Sequence, residues 1–266
     1  MAVEDRARLA PVPWRPGPDG PLDPWGPPAP LPPLRVTPAR GTRRGTAILV
    51  PPWKIRSAGN VAAWSRALAA AGLETWLAVP PLHLERTPPG GRSGEGLVSP
   101  DLGRMREALS LAVREVRGCV AAASGGGEVV LVGLSLGALV AAWAATGPER
   151  VAAAALVAPP ADLAAVFGRT AIGRRYAALA ARAGGPIPEG PELGRRLGWL
   201  APVERRPTAG RLLVVGGRHD AIAVGGAEAL ARAWGAPLST HARGHMTLLF
   251  ACAAARREVA AFAAAR

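Results

Sequence analysis

Residues 128–147, EVVLVGLSLGALVAAWAATG, carry no charge after Glu128. On length alone such a run is long enough to cross a bilayer as a helix. Its internal pattern divides it. Residues 129–133 are β-branched and aliphatic, as in a short strand buried on both faces, whereas residues 138–146 are mostly alanine, as in a helix. The two elements meet at Gly133, Leu134, Ser135, Leu136 and Gly137. That G-x-S-x-G spacing predicts a sharp strand-to-helix turn carrying the serine, with small neighbours permitting the bend.

The same alternation runs along the rest of the chain. TAILV (46–50) predicts a strand, residues 60–72 a helix with Val61, Trp64, Leu68 and Ala71 on one face, and ETWLAV (74–79) a second strand. Ser99 reads as a helix N-cap with Pro100 in the first helical position. Behind it Leu102, Met105, Leu109, Ala112, Val113, Val116 and Val120 recur every three or four residues, which predicts one long helix with a single apolar stripe. After the uncharged run come the strand VAAAALVAP, a segment from Pro160 to about Pro207, the strand RLLVVGG, a helix near AEALARAWG, the short strand PLSTHA and a terminal helix through CAAARREVAAFAAAR. Strands alternating with helices predict an α/β fold of parallel units covered on both faces. The uncharged run is then a central strand with its crossover helix rather than a membrane span. In such a sheet ligands bind at the carboxyl ends of the strands, where Ser135 falls.

Composition adjusts this picture only slightly. The 266 residues, 49% of them hydrophobic, suffice for one large core. Residues 1–44 are proline-rich, and proline's fixed φ and missing N–H oppose a helix or sheet interior, so they are expected to form an arm along a domain of residues 45–266, anchored by Trp14 and Trp25. The net charge of +13 raises the prospect of a nucleic-acid or anionic-surface partner. Lys54 is the only lysine, however, and the arginines are scattered without interleaved aromatics, so no nucleic-acid partner is expected. Cys119 and Cys252 sit in alanine-rich segments as small buried hydrophobes, and no Cys/His cluster suggests a metal. The N-terminus lacks the basic start and apolar core of a signal peptide, which points to a cytoplasmic protein.

A serine hydroxyl is a weak nucleophile unless an imidazole takes its proton, and the imidazole needs a carboxylate to fix its tautomer. Both follow in the chain. Asp220 comes just past the strand RLLVVGG, and His245 lies in the loop before the last helix. His219 flanks Asp220 in the same turn, and His241, within or at the end of PLSTHA, is the rival base; a strand favours a structural role for it. His83 follows ETWLAV as a loop histidine at the site mouth or simply in solvent. Arg169, Arg174, Arg175, Arg182, Arg195 and Arg196 either attract an acidic substrate or form a solvated helix face.

From about Thr46 to the C-terminus the chain resembles the α/β-hydrolases, through LVPPW, GLSLG, GGRHD and RGHMT in the order Ser, Asp, His. The resemblance implies a mostly parallel central sheet with helices on both faces and a small helical cap at about 160–207. It also implies a nucleophile at Ser135, an acid at Asp220, a base at His245, and no metal or organic cofactor. The expected oxyanion hole takes one N–H from Leu136. The second comes from the loop after the first strand, where many family members read His-Gly and this chain reads Pro51-Pro52; prolines have no N–H, which leaves Trp53, whose indole also suits the wall of an acyl site. The VPPW stretch is similar to polyhydroxyalkanoate synthases, but their nucleophile is cysteine. The expected activity is hydrolysis of a small-molecule carboxylic ester or thioester through an acyl-enzyme on Ser135. The alternatives are an acyltransferase on the same scaffold and a catalytically silent binding protein.

Overall fold

A computed structural model describes residues 26–99, 101–182 and 198–265. Its strands are β1 (Leu34–Thr37), β2 (Gly45–Val50), β3 (Leu73–Ala78), β4 (Glu128–Leu134), β5 (Ala153–Val157), β6 (Arg211–Gly217) and β7 (Leu238–His241). They form one sheet in the order β1-β3-β2-β4-β5-β6-β7, parallel throughout except that β1 runs antiparallel to β3. The described helices are α1 (Ala62–Ala70), α2 (Leu102–Ala123), α3 (Leu136–Ala144), α4 (Leu163–Arg169), α5 (Ala171–Arg182), α6 (Gly226–Trp234), α7 (His245–Ala251) and α8 (Ala253–Ala264).

The continuous apolar runs of the central strands feed two cores at once, because successive side chains of a strand point to opposite faces. Ile48 and Val50, Val129 and Leu131, and Ala154 and Leu156 pack with α2 and α3. Ala47 and Leu49, Val130 and Val132, and Ala155 and Val157 pack with α1, α7 and α8. Burying one such Val, Leu or Ile side chain stabilises the fold by about 1.5–3 kcal/mol. On the second face the buried Trp64 indole donates to the Leu249 carbonyl at 2.7 Å, joining α1 to α7. The run 128–147 is thus β4 and α3, and no helix among the described residues is long and apolar enough to cross a membrane.

Three local expectations are corrected. The long helix starts at Leu102 with Asp101 as its N-cap, whose carboxylate accepts from Arg104 N–H at 3.0 Å; Ser99 instead accepts from Asp101 N–H, and Pro100 lies outside the described residues. The terminal helix is two helices, because Cys252 adopts extended backbone between α7 and α8. Finally, the proline-rich arm contributes β1 to the sheet. Leu34, Arg35, Val36 and Thr37 form a proline-free stretch, and β1 sits at the edge, where one side of a strand needs no partner. Before it, Ala29 N–H donates to Arg114 O and the Arg117 guanidinium to Gly26 O, so this part of the arm lies along α2. Trp14 and Trp25 lie outside the described residues.

Between β5 and β6, α4 and α5 cross closely enough that a Cβ on Gly173 would strike the Phe167 carbonyl. The rings of Phe167 and Tyr176 stack at 4.3 Å, and the Tyr176 hydroxyl donates to Ser99 O at 2.9 Å. Arg174 is exposed on α5. Arg195 and Arg196 lie outside the described residues, as do the side chains of Arg169, Arg175 and Arg182.

Candidate active site

All the sequence-selected side chains follow carboxyl ends of parallel strands: Trp53 after β2, Ser135 after β4, Asp220 after β6 and His245 after β7. Ser135 sits at φ 54°, ψ −119°, a left-handed backbone that a residue with a Cβ adopts only when its surroundings impose it. Its N–H donates to Val157 O at 2.8 Å, and its carbonyl accepts from Ala138 N–H at 2.7 Å, so the bend is pinned to β5 on one side and α3 on the other. Gly137 is required by close approach, since a Cβ there would meet the carbonyl oxygens of Val50 and, at 2.5 Å, Pro51. That contact presses the first turn of α3 against the loop leaving β2. Leu136 opens α3, so its backbone N–H has no partner within the helix.

Ser135 Oγ lies 2.8 Å from His245 Nε2, and His245 Nδ1 lies 2.7 Å from Asp220 Oδ2. The structure therefore brings together the three residues expected to act in sequence. His245 is not in a loop, as expected, but is the first residue of α7, with Gly244 as N-cap. The β6 and β7 loops are tied together, with Arg218 N–H donating to His241 O and His219 N–H to Arg243 O. This fixes the distance between Asp220 and His245.

Asp220 Oδ1 accepts from the N–H groups of Ile222 and Ala223, each at 2.8 Å, which leaves Oδ2 to face the imidazole. Burial opposes its charge, but the His245 hydrogen bond and charge and these two N–H groups outweigh it and hold its pKa below the ordinary carboxylate value. An ionised Asp220 is acceptor only, so Nδ1 of His245 carries the hydrogen and Nε2 is free to accept from the Ser135 hydroxyl. The arrangement can move a proton off Ser135. His241, the rival base, bonds instead to Glu258 on α8 at 3.0 Å.

His83 departs from its expectation. It is completely buried rather than solvated. Its Nδ1 lies 2.9 Å from Pro81 O, and its Nε2 accepts from Lys54 N–H at 3.1 Å. The Trp53 indole, expected to wall an acyl site, donates to Gly94 O at 2.7 Å, with the Lys54 ammonium 4.2 Å from its ring. Sequence reasoning missed this bracing because it joins residues 53–54, 83 and 94 across long separations; the only local hint was a histidine among prolines directly after a strand.

A mostly parallel sheet with a serine on the bend after its central strand, and an aspartate and a histidine beyond later strand ends, is the α/β-hydrolase fold. Known structures agree in fold. A monoacylglycerol lipase from Paleococcus ferrophilus is 17% identical with a TM-score of 0.57, covering 87% of this chain and 98% of its own. Est1E from Butyrivibrio proteoclasticus, with ferulic acid bound, is 14% identical with a TM-score of 0.60 over 88% and 95%. An enol-lactonase from Burkholderia xenovorans is 17% identical with a TM-score of 0.52 over 86% and 95%. No curated protein sequence matches the chain. Residues 113–249 match the model of the serine hydrolase family, and the chain belongs to that family.

Proposed function

We propose that this hydrolase cleaves a small-molecule carboxylic ester or thioester through an acyl-enzyme on Ser135. The observation that carries the reading is the unbroken relay from Ser135 Oγ through His245 to Asp220, at 2.8 and 2.7 Å, on a strained bend at the end of the central strand. Ser135 Oγ attacks the acyl carbonyl as His245 Nε2 takes its proton, forming a tetrahedral oxyanion. The oxyanion collapses, the bond to the leaving oxygen or sulfur breaks, and His245 returns the proton to the departing alcohol or thiol. Water, deprotonated by the same imidazole, then attacks the acyl-enzyme and releases the acid and free Ser135. Asp220 holds the ring and stabilises its charged form.

The Leu136 N–H, freed by its place at the start of α3, is one oxyanion donor. The Trp53 N–H is the other: Pro51 and Pro52 have none, and the Lys54 N–H is committed to His83. In this reading the segment between β5 and β6, of which α4 and α5 are described, is the cap; its Leu163, Phe167 and Tyr176 belong to the same core that buries α3. Ser135→Ala should reduce turnover of short-chain p-nitrophenyl esters by about 10⁶-fold with the circular dichroism spectrum unchanged. Full residual turnover refutes the proposal. Added alcohol or thiol acceptors should leave free acid as the main product; transfer to the acceptor would assign an acyltransferase.

A further inference from the structure

The loop after β2 leaves the sheet through two prolines. Prolines at 51 and 52 offer no N–H for internal hydrogen bonds, and Lys54 sits at φ 61°, a conformation that a lysine keeps only under constraint. The constraint comes from the segment after β3. His83, with no exposed surface, accepts the Lys54 N–H on Nε2 at 3.1 Å. Its other nitrogen, Nδ1, lies 2.9 Å from Pro81 O, a carbonyl that can only accept, so Nδ1 carries the hydrogen and Nε2 is the bare acceptor. Leu82 and Leu84 on either side also take positive φ, at 64° and 49°, so the histidine is presented by a strained turn. Gly94 closes the assembly: its carbonyl takes the Trp53 indole N–H, and a Cβ on it would stand 2.6 Å from His83 Nε2 and 2.9 Å from Lys54 N.

Resting on the acyl-enzyme reading above, we infer that His83 is a positioning residue for the reaction: through the Lys54 N–H it fixes the preceding peptide so that the Trp53 N–H faces the developing oxyanion. It does this only as the neutral Nδ1–H tautomer. A proton on Nε2 would turn the acceptor into a donor aimed at another N–H, and the loop would lose its brace. The charged groups on the surrounding segments are Lys54 on the loop itself, Glu85, paired with Arg35, Arg86, paired with Glu115 of α2, and Glu95 beside Gly94. Burial and then the positive charge of Arg86, against the favourable Pro81 carbonyl, keep the imidazole below its ordinary pKa, so the acceptor form persists near neutrality.

The test compares His83→Leu, which fits the space without an acceptor, and His83→Gln, whose amide oxygen reaches the Nε2 position and does not titrate. Turnover is referred to Ser135 sites titrated to completion with a fluorophosphonate. At pH 8, His83→Leu should lose about 10²-fold in kcat with KM within threefold of wild type, as for removal of one oxyanion donor, and His83→Gln should recover most of it. Below the ordinary histidine range, wild-type kcat should fall more steeply with acid than that of His83→Gln, which has one titrating imidazole fewer. Wild-type kcat in folded His83→Leu, or superimposable acid limbs for wild type and His83→Gln, overturns the inference; the second readout stands even if His83→Leu fails to fold. Ser135→Ala separates the two layers. If it is inactive while His83→Leu is fully active, only the positioning role falls, whereas an active Ser135→Ala removes the acyl-enzyme reading and the positioning role together.

Discussion

The loops after β4 and β2 lie side by side at the same edge of the sheet, yet their shapes have different origins. The β4 bend is written almost locally: strand, serine and helix are contiguous, the backbone of Ser135 bonds to Ala138 and Leu139 within its own turn, and residues 133–137 supply the small neighbours. The β2 loop has no such self-sufficiency. Its Lys54 N–H depends on a histidine 29 residues away and its Trp53 indole on a carbonyl 41 residues away. Both loops store strain, and so do those after β3 and β5: Lys54, Leu82, Leu84, Ser135 and Ala158, the residues other than glycine with positive φ among those described, all lie beyond carboxyl ends of strands. Each such residue costs roughly 1–3 kcal/mol, and the two double-sided cores below offset that cost. The strained residues thus form a rim above a buried apolar base.

The contrast can be broken most severely at Gly137. Its Cβ would meet backbone carbonyls of β2 and its loop, which have no rotamer to yield, so Gly137→Ala should give little or no folded protein, read by soluble yield and thermal melting. Next, Asp220→Asn keeps the volume but presents the wrong tautomer to Ser135, and should lower kcat by about 10⁴-fold with a small shift in Tm. Gly94→Ala probes the non-local loop. Its Cβ would crowd His83 and Lys54, and its φ of 75° disfavours a side chain, so kcat should fall by about 10²-fold with Tm lower by several degrees.

Acid should act more gently and in a definite direction. Asp220 and His83 both hold pKa values below their ordinary ones, so between the folded and ordinary values the unfolded chain binds more protons. Their stabilisation is complete above the ordinary values, about 6.5 for histidine and 3.9 for aspartate, and is lost as pH falls from there through the folded values. Urea unfolding from pH 8 to 5 should show stability falling with acid, and less so in His83→Gln; equal slopes would argue against a buried neutral His83. The smallest effect belongs to His241→Ala. It removes a partly exposed pair with Glu258, worth about 0.2–1 kcal/mol, and should leave kcat within threefold.

Much of the fold was legible in local pattern. Continuous apolar, β-branched runs such as 46–50 and 129–133 read as strands buried on both faces, and the helical stripe from Met105 to Val120 had to face a core. Errors gathered where one local signal hid another: prolines around residues 34–37 masked β1, and a continuous alanine-rich stretch masked the break at Cys252.

The chain order of Ser135, Asp220 and His245 was legible too, since each stands in a short motif at a predicted strand end. By itself, then, the sequence determined the alternation of elements, the two-faced central strands, and a strand-to-helix bend at Ser135; each of these was legible in a pattern spanning only a few residues. Tertiary structure alone decided that His241 turns to Glu258 while His245 turns to Ser135, and that His83 is buried behind Lys54. Those choices depend on which loops the folded sheet sets side by side, and a hydrogen bond across 29 or 110 residues leaves no period in the sequence that spans it.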